Sequence, residues 1–146
     1  MQYRSPLPDI ALPDTDITTF VLGGLGSDSV LPAITEVDTG RTVTYGELAE
    51  EVEALAATIA PGEVITLRQP NSIDFAVGLL AILRAGSTAT LIGPLLLDDE
   101  SLALQHLAHS TRELTLDEIR NHAQGTFSPP SIDPRAIAAI LSLIHI

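Results

Sequence analysis

Two histidines, His106 and His109, have a spacing that can place two imidazoles on one face of a predicted helix. His122 is the candidate third ligand, if the chain folds back toward that helix. A zinc site needs three or four ligands with supporting hydrogen bonds behind them, and this chain has no cysteine to supply one. We therefore predict surface histidines and no metal-binding residue.

Asp14, Asp16 and Thr18 form the pattern D-x-D-x-T, which is similar to that of haloacid-dehalogenase-type phosphatases, where the first aspartate is the nucleophile. The acidic pair Asp98 and Asp99 imitates the distal acids of that family. The reaction also needs a cation, usually lysine, to hold the aspartyl-phosphate, and the chain has no lysine. Pro13 moreover stands where the preceding strand should run unbroken. We interpret the pattern as a solvated loop.

Gly24 and Gly26 resemble the start of a dinucleotide-binding fingerprint, but Ser29 occupies the third glycine position and Pro32 stands where the helix should begin. Four acids of one predicted helix are interpreted as its solvated face: Glu47, Glu50, Glu51 and Glu53. Neither a G-x-S-x-G elbow nor a Walker-type loop is present. From these patterns we predict no catalytic, no cofactor-binding and no metal-ligating residue.

Composition narrows the classes of protein further. The chain has 146 residues, 45% of them apolar, and its 7 basic residues are all arginine against 19 acids, for a net charge of −12. A nucleic-acid backbone would be repelled by that charge, and chemistry that requires an ammonium side chain is excluded. The most apolar stretch, residues 75–97, is interrupted by Arg84, so we expect no membrane span and predict a cytoplasmic protein.

The elements that must position any site begin with a predicted hairpin. Residues 33–37 and 41–43 read as its two strands, and Gly40 supplies the positive φ of the turn. Thr44 then caps a helix, with Glu47 completing a capping box. For residues 17–22 the pattern leaves helix and strand open.

Asn71 is predicted to cap a second helix, answered by Asp74 at the capping-box position, and Gly86 closes that helix. Predicted strands at residues 64–67 and 87–92 flank it, and a third helix follows from Asp98 to about His109. Residues 112–116 and 115–121 indicate a short strand and a capped turn. Strands that alternate with helices predict an α/β fold with a doubly wound, mainly parallel sheet.

The order of several segments resembles one family. Residues 3–10 (YRSPLPDI) and 43–48 (VTYGEL) resemble the opening of acyl-CoA synthetases of the 4-coumarate–CoA ligase type, members of the adenylate-forming superfamily. Residues 70–75 (PNSIDF) look like that family's P-N-S-x-E-F helix start, and residues 83–90 (LRAGSTAT) look like its L-x-A-G segment. Residues 93–95 (GPL) stand where the family usually has Asn-Pro-Leu. The resemblance covers residues 3–109.

The resemblance implies a two-step reaction in the complete enzymes. A carboxylate attacks the α-phosphate of Mg-ATP to give acyl-AMP, and the thiol of coenzyme A then displaces AMP. In the family the chemistry lies further along the chain, in a Ser/Thr/Gly-rich loop ending in Pro-Lys-Gly and in a small C-terminal domain with a lysine. We therefore expect ATP, Mg and coenzyme A, with a small carboxylic acid, to be partners of the full-length protein, and none of these cofactors to be bound by these 146 residues.

We accordingly predict three regions: an extended N-terminal arm over 1–31, the first part of the AMP-binding large domain over 32–140, and a non-native tail over 141–146. Residues 133–140 resemble the approach to the phosphate loop, and LSLIHI then resembles a translated sequencing adapter. The alternative for those six residues is a genuine apolar strand. The predicted function is an inactive N-terminal scaffold fragment of an acid–CoA ligase; the alternative is a non-catalytic α/β interaction or regulatory domain.

Overall fold

The structure is a computed structural model and describes residues 11, 13–23, 29–122, 126–134 and 136–141, with only the backbone of Leu141. Its helices are α1 (Ile17–Leu22), α2 (Tyr45–Ala56), α3 (Ile73–Arg84), α4 (Asp98–Leu107) and α5 (Leu116–Arg120). Its strands are β1 (Pro32–Thr35), β2 (Thr42–Thr44), β3 (Val64–Leu67), β4 (Thr88–Leu91), β5 (Arg112–Glu113) and β6 (Ala139–Leu141). Among the described helices, none is long and apolar enough to cross a bilayer.

A parallel four-stranded sheet forms the centre of the fold, in the order β5-β3-β4-β6. Each pair of neighbouring strands is parallel, so the predicted α/β architecture is confirmed. The chain passes from β3 to β4, then back across β3 to β5, and then across the sheet again to β6. Such crossings need helical connections, which α3, α4 and α5 supply.

The predicted hairpin is confirmed as an antiparallel pair of β1 and β2 beside the main sheet. Gly40 has a φ of 72°, and its N–H donates to the Glu36 carbonyl at 2.9 Å, which closes the turn. Helix α2 follows directly, and the predicted capping box is present. The Thr44 Oγ1 accepts from the Glu47 N–H at 3.2 Å, and the Glu47 carboxylate accepts from the Thr44 N–H at 2.8 Å.

The predicted cap of the second helix is wrong by one residue. Ser72, not Asn71, caps α3, because its Oγ accepts from the Phe75 N–H at 3.1 Å. Asp74, predicted as the capping-box partner of Asn71, accepts hydrogen bonds from two arginines instead. The Asp74 carboxylate therefore belongs to a buried ion-pair network and not to the local cap of the helix.

The apolar core lies on one face of the sheet, under α2, α3 and α5. Alternation along the strands sends Ile65, Leu67 and Ala89 to this face. The largest fully buried helical residues against them include Leu55, Ile73 and Ile82. The core therefore joins the hairpin helix to the first crossover of the sheet.

Helix α4 covers the opposite face, which carries the buried Thr66 and Thr90. Gln105 of α4 donates to the Glu113 carboxylate at 3.4 Å, and Glu113 pairs with Thr66 in the ladder. This second face carries polar residues beside Val64 and Ile140, whereas the first is apolar. Helices on both faces make the sheet doubly wound.

Helix α4 ends in a Schellman motif, two residues before the predicted end at about His109. The His109 N–H donates to the His106 carbonyl at 3.1 Å, and the Ser110 N–H donates to the Gln105 carbonyl at 2.9 Å. His109 has a φ of 55°, in the left-handed region that favours glycine. The backbone geometry of the helix end therefore determines the position of His109.

Replacing His109 with glycine is expected to raise the free energy of unfolding by about 0.5–1 kcal/mol, because glycine adopts the left-handed conformation without a Cβ clash. The control is His106→Gly, within α4, which should lower stability by up to about 1 kcal/mol. Urea unfolding measures both. An equal decrease in the free energy of unfolding of the two variants would contradict the assignment of His109 to the cap.

All three predicted regions contain residues that lie outside the described ones, the middle region at 123–125 and 135. In the predicted arm, residues 17–22 form helix α1, which settles the choice between helix and strand. Residues 1–10 and 24–28 lie outside the described residues, as do 142–146. The backbone of Leu141 pairs with Leu91 in β6. The three boundaries remain predictions.

Candidate functional site at the carboxyl edge of the sheet

The strands β3 and β4 end side by side at the carboxyl edge of the sheet, and we call the position between the segments that follow them the crevice. The connection after β3 runs through α3 on the apolar face, and the connection after β4 runs toward α4 on the polar face. In open α/β sheets, ligands bind at the carboxyl edge at such a point of divergence. We define this crevice by Arg68, which follows β3, and residues 93–97, which follow β4.

Arg68 bridges the two sides of the crevice. Its Nη1 lies 2.8 Å from the Asp98 Oδ1, and its Nη2 donates to the Leu96 carbonyl. The Arg68 side chain is only 21% exposed, whereas that of Asp98 is 89% exposed. The guanidinium therefore lies inside the crevice and links residues 28 and 30 positions away in sequence.

A larger groove of about 900 Å³ lies beside the crevice, between the hairpin and the start of α3. Its wall includes Glu36, Arg41, Asp74 and Arg120, with Phe75 as an apolar contribution. The groove also lies at the carboxyl edge, because α3 and α5 begin there. The edge thus combines the Arg68 bridge with a polar groove beside it.

Asp74 is the centre of the wider groove. Its Oδ1 accepts from Arg41 Nη1 at 3.3 Å, and its Oδ2 accepts from Arg120 Nε at 2.9 Å and Nη2 at 2.5 Å. Arg41 also lies 3.8 Å from Glu51 of α2. The Asp74 side chain is 8% exposed, so this buried carboxylate ties the hairpin, α3 and α5 together.

Glu36 makes a second link between the hairpin and α3. Its Oε1 accepts from the Ile73 N–H at 2.8 Å, and its Oε2 accepts from the Thr39 hydroxyl at 2.7 Å. These hydrogen bonds, the Ile73 amide first, hold the pKa of Glu36 below its ordinary value. The carboxylate satisfies one of the free N–H groups at the start of α3. A carboxylate engaged in this way is a poor general base.

The D-x-D-x-T segment, predicted as a solvated loop, instead includes the N-cap and the start of helix α1. Asp14 is exposed, while the Asp16 Oδ1 accepts from Thr18 N–H at 3.0 Å and Thr19 N–H at 2.9 Å. Partial burial acts to raise the pKa of Asp16, but the hydrogen bonds from Thr18 and Thr19 lower it to about 2. Asp16 is therefore the N-cap of α1, and the structure brings no cation of the described residues to it.

The cap gives a test of pH dependence. The pKa of Asp16 is lowered from 3.8 to about 2, so its stabilisation is present above pH 3.8 and is lost as pH falls toward 2. Between pH 5 and pH 3 we expect the natural chain to lose about 0.5–1 kcal/mol more stability than Asp16→Asn, which keeps a neutral cap. Urea unfolding at the two pH values measures the difference. Parallel losses would show that the carboxylate charge contributes nothing.

The predicted metal candidates do not assemble. His106 lies in α4, His109 is the residue that ends its capping motif, and His122 Nδ1 lies 2.8 Å from the Ile119 carbonyl. In the described part of the chain, no group of three or more His, Cys, Asp or Glu side chains could hold a metal ion. Gly24 and Gly26 lie outside the described residues.

The predicted solvated face of α2 also has structural partners. Besides the capping box of Glu47, the Glu53 carboxylate accepts from Arg84 at 3.0 Å, and Glu51 pairs with Arg41. Across the described ranges, each arginine has an ion pair: Arg41, Arg68, Arg84, Arg112 and Arg120. The described arginines thus form ion pairs that hold elements of the fold together.

No sequence motif pointed to Arg68 or to the Asp74 network. One signal for Asp74 was available: a single acid on a helix that is apolar nearly all round must find a cation, and arginine is the only basic residue type here. Arg68 carried no such signal. Its partners follow a different strand, so only the strand order brings them together.

Comparison with known proteins accords with this arrangement. The chain is 31% identical over 134 residues to 4-coumarate–CoA ligase 4 of Arabidopsis thaliana, covering 82% of this chain and 23% of that protein. It is 30% identical over 160 residues to 4-coumarate–CoA ligase-like 4 of Oryza sativa subsp. japonica, covering 94% of this chain and 29% of that protein. The chain thus spans about a quarter of the length of these relatives.

Solved structures share the fold. O-succinylbenzoate coenzyme A synthetase of Bacillus subtilis, in complex with AMP, matches with a TM-score of 0.70 at 16% identity, over 86% of this chain and 38% of that one. The N-terminal subdomain of Klebsiella oxytoca NpsA matches with a TM-score of 0.65 at 18% identity, over 78% of this chain and 34% of that one. At these identities the likeness concerns the fold alone.

The decisive comparison is with the protein family described as "AMP-binding enzyme", which matches residues 28–128. That range is more than half of the 146 residues and contains the hairpin, three of the four strands of the sheet (β3, β4 and β5) and the crevice residues. The predicted family resemblance is confirmed: the chain belongs to the AMP-binding enzyme family.

Proposed function

We propose that the chain is the N-terminal scaffold part of an ATP-dependent carboxylic acid–CoA ligase, and that these 146 residues alone do not adenylate an acid. The observation that carries the proposal is the match to CoA ligases over 82% of this chain but 23% of the relative. In the complete protein, an acid would be converted to acyl-AMP and then transferred to the thiol of coenzyme A. ATP, Mg and coenzyme A would be bound by that longer protein.

The charged groups of the described residues are engaged within the fold, which is why we assign them a scaffold role. They contain no group of three or more His, Cys, Asp or Glu side chains that could hold a metal ion. Each arginine that the structure describes is ion-paired, and the chain has no lysine. We therefore assign no step of the reaction to a residue of this chain.

The three regions predicted from the sequence are part of the proposal. Residues 1–31 would be an arm, residues 32–140 the first part of the large domain, and residues 141–146 a tail foreign to the natural protein. The described elements from β1 to α5 support the middle assignment, since they fall almost wholly within the family match.

A pyrophosphate-release assay tests the proposed inactivity. The purified chain is incubated with ATP, Mg and coenzyme A, together with a panel of aryl and fatty acids. We expect no acid-dependent release above a heat-treated sample, while circular dichroism shows that the chain is folded. Acid-dependent turnover would overturn the scaffold assignment, and an Arg68→Ala variant would then show whether the crevice contributes to it.

A further inference from the structure

The segment after β4 has few means of holding its own conformation. The Leu96 N–H donates to the Gly93 carbonyl at 3.2 Å, which makes a turn with Pro94 at its second position. Leu95 and Leu97 are exposed, so their side chains gain little from burial here. The Leu97 N–H reaches the Glu100 carboxylate at a long 3.4 Å. Contacts from elsewhere in the fold must therefore contribute to the order of this segment.

Arg68 supplies such contacts from across the crevice. The first contact is the hydrogen bond from Arg68 Nη2 to the Leu96 carbonyl, inside the turn. The second contact is the ion pair with Asp98 at the start of α4. The planar guanidinium can make both contacts at once, which a single ammonium group cannot match in geometry. The ion pair is exposed on its Asp98 side and is therefore screened by salt, whereas the partly buried carbonyl contact is much less affected.

We propose that Arg68 is a positioning residue that holds residues 93–97 as one wall of the crevice, so that the wall is ordered before a ligand arrives. The role as a ligand wall rests on the proposed function, because the crevice would serve the substrates of the longer ligase. Arg68 acts here through the backbone of the turn and does not itself react. Ordering the wall in advance reduces the entropy lost when a ligand binds.

Amide hydrogen exchange by NMR tests the proposal on the 146-residue chain without any ligand. In Arg68→Ala, exchange of the hydrogen-bonded Leu96 and Leu97 amides should rise about tenfold, while β3 and β4 amides keep their rates. Arg68→Lys should restore only part of the protection. Asp98→Asn should raise exchange less than Arg68→Ala does, and its effect should vanish in about 0.5 M salt.

Arg112→Ala is the matched control, since Arg112 is a half-buried arginine that pairs with Glu63 and Glu118 away from the crevice. It should leave exchange at Leu96 and Leu97 unchanged. Unchanged exchange in Arg68→Ala would overturn the proposal. So would a rise spread evenly over the sheet, which would make Arg68 a general stabiliser. If Arg68→Ala does not fold, Arg68→Lys and Asp98→Asn decide by the same local criterion.

Failure of this inference is distinguishable from failure of the proposed function. Exchange rates need neither ATP nor an acid, so they report on the bridge alone. Turnover in the pyrophosphate assay would remove the scaffold assignment and leave the exchange result intact. Unchanged exchange would remove the role of Arg68 and leave the ligase assignment intact.

Discussion

Replacing Leu55 with alanine is expected to lower the free energy of unfolding by about 3 kcal/mol, within the 2–5 kcal/mol range for buried leucines. Leu55 is fully buried on α2, in the core cluster that packs on the apolar face of the sheet. The substitution removes apolar contact and leaves a cavity that the rigid neighbours fill only in part. Since marginally stable domains have about 5–15 kcal/mol in total, the loss should be plain in urea unfolding.

Leu102→Ala is the matched control for this prediction. Leu102 lies on α4 with 56% of its surface exposed, so its truncation should change stability by no more than about 0.5 kcal/mol. The pair compares one chemical change at a buried and an exposed helical site. Losses of similar size would contradict the placement of the core under α2.

Replacing Asp74 with alanine should lower the free energy of unfolding by about 2–3 kcal/mol. The substitution leaves Arg41 and Arg120 without their shared buried carboxylate. It thereby removes the contacts through which Asp74 joins the hairpin, α3 and α5. Removing one partner of a buried pair is strongly destabilising. We place the loss below the usual 3–5 kcal/mol because both arginine side chains are about half exposed and can regain water.

A double-mutant cycle isolates the Asp74 contact. Asp74→Ala, Arg120→Ala and the double variant should give a coupling energy of about 1–2 kcal/mol in urea unfolding. Asp117→Ala, an exposed acid on the same helix as Arg120, is the control and should change stability by about 0.5 kcal/mol or less. An Asp74→Ala loss no larger than that of Asp117→Ala would contradict the network.

Local signals predicted most of the fold. The hairpin turn at Gly40 and the capping box of Thr44 and Glu47 depend on residues within a few positions of one another, so sequence spacing suffices to find them. The apolar stretch of β3 and its alternation with helices likewise indicated a parallel sheet. The cap of α3 failed because Asp74 was assigned a local partner, whereas burial beside two arginines fixed its side chain.

The candidate site was less predictable because its contacts are long-range. Arg68 meets Leu96 and Asp98 only because β3 and β4 are neighbours and their connections diverge. Neither the strand order nor the side of each crossover is encoded in a short motif. The histidine and D-x-D-x-T spacings were not read as sites, and what the sequence did not predict is that Asp16 caps a helix and His109 ends one, where a solvated loop and surface histidines were expected.

We propose that this chain is the front part of a longer ligase, and the genomic DNA beyond the codon for Ile140 tests that claim most directly. We predict that the natural reading frame continues from there into a Ser/Thr/Gly-rich loop ending in Pro-Lys-Gly, in place of the six residues that follow here. A genomic frame that encodes residues 141–146 as they stand and then stops would contradict the claim.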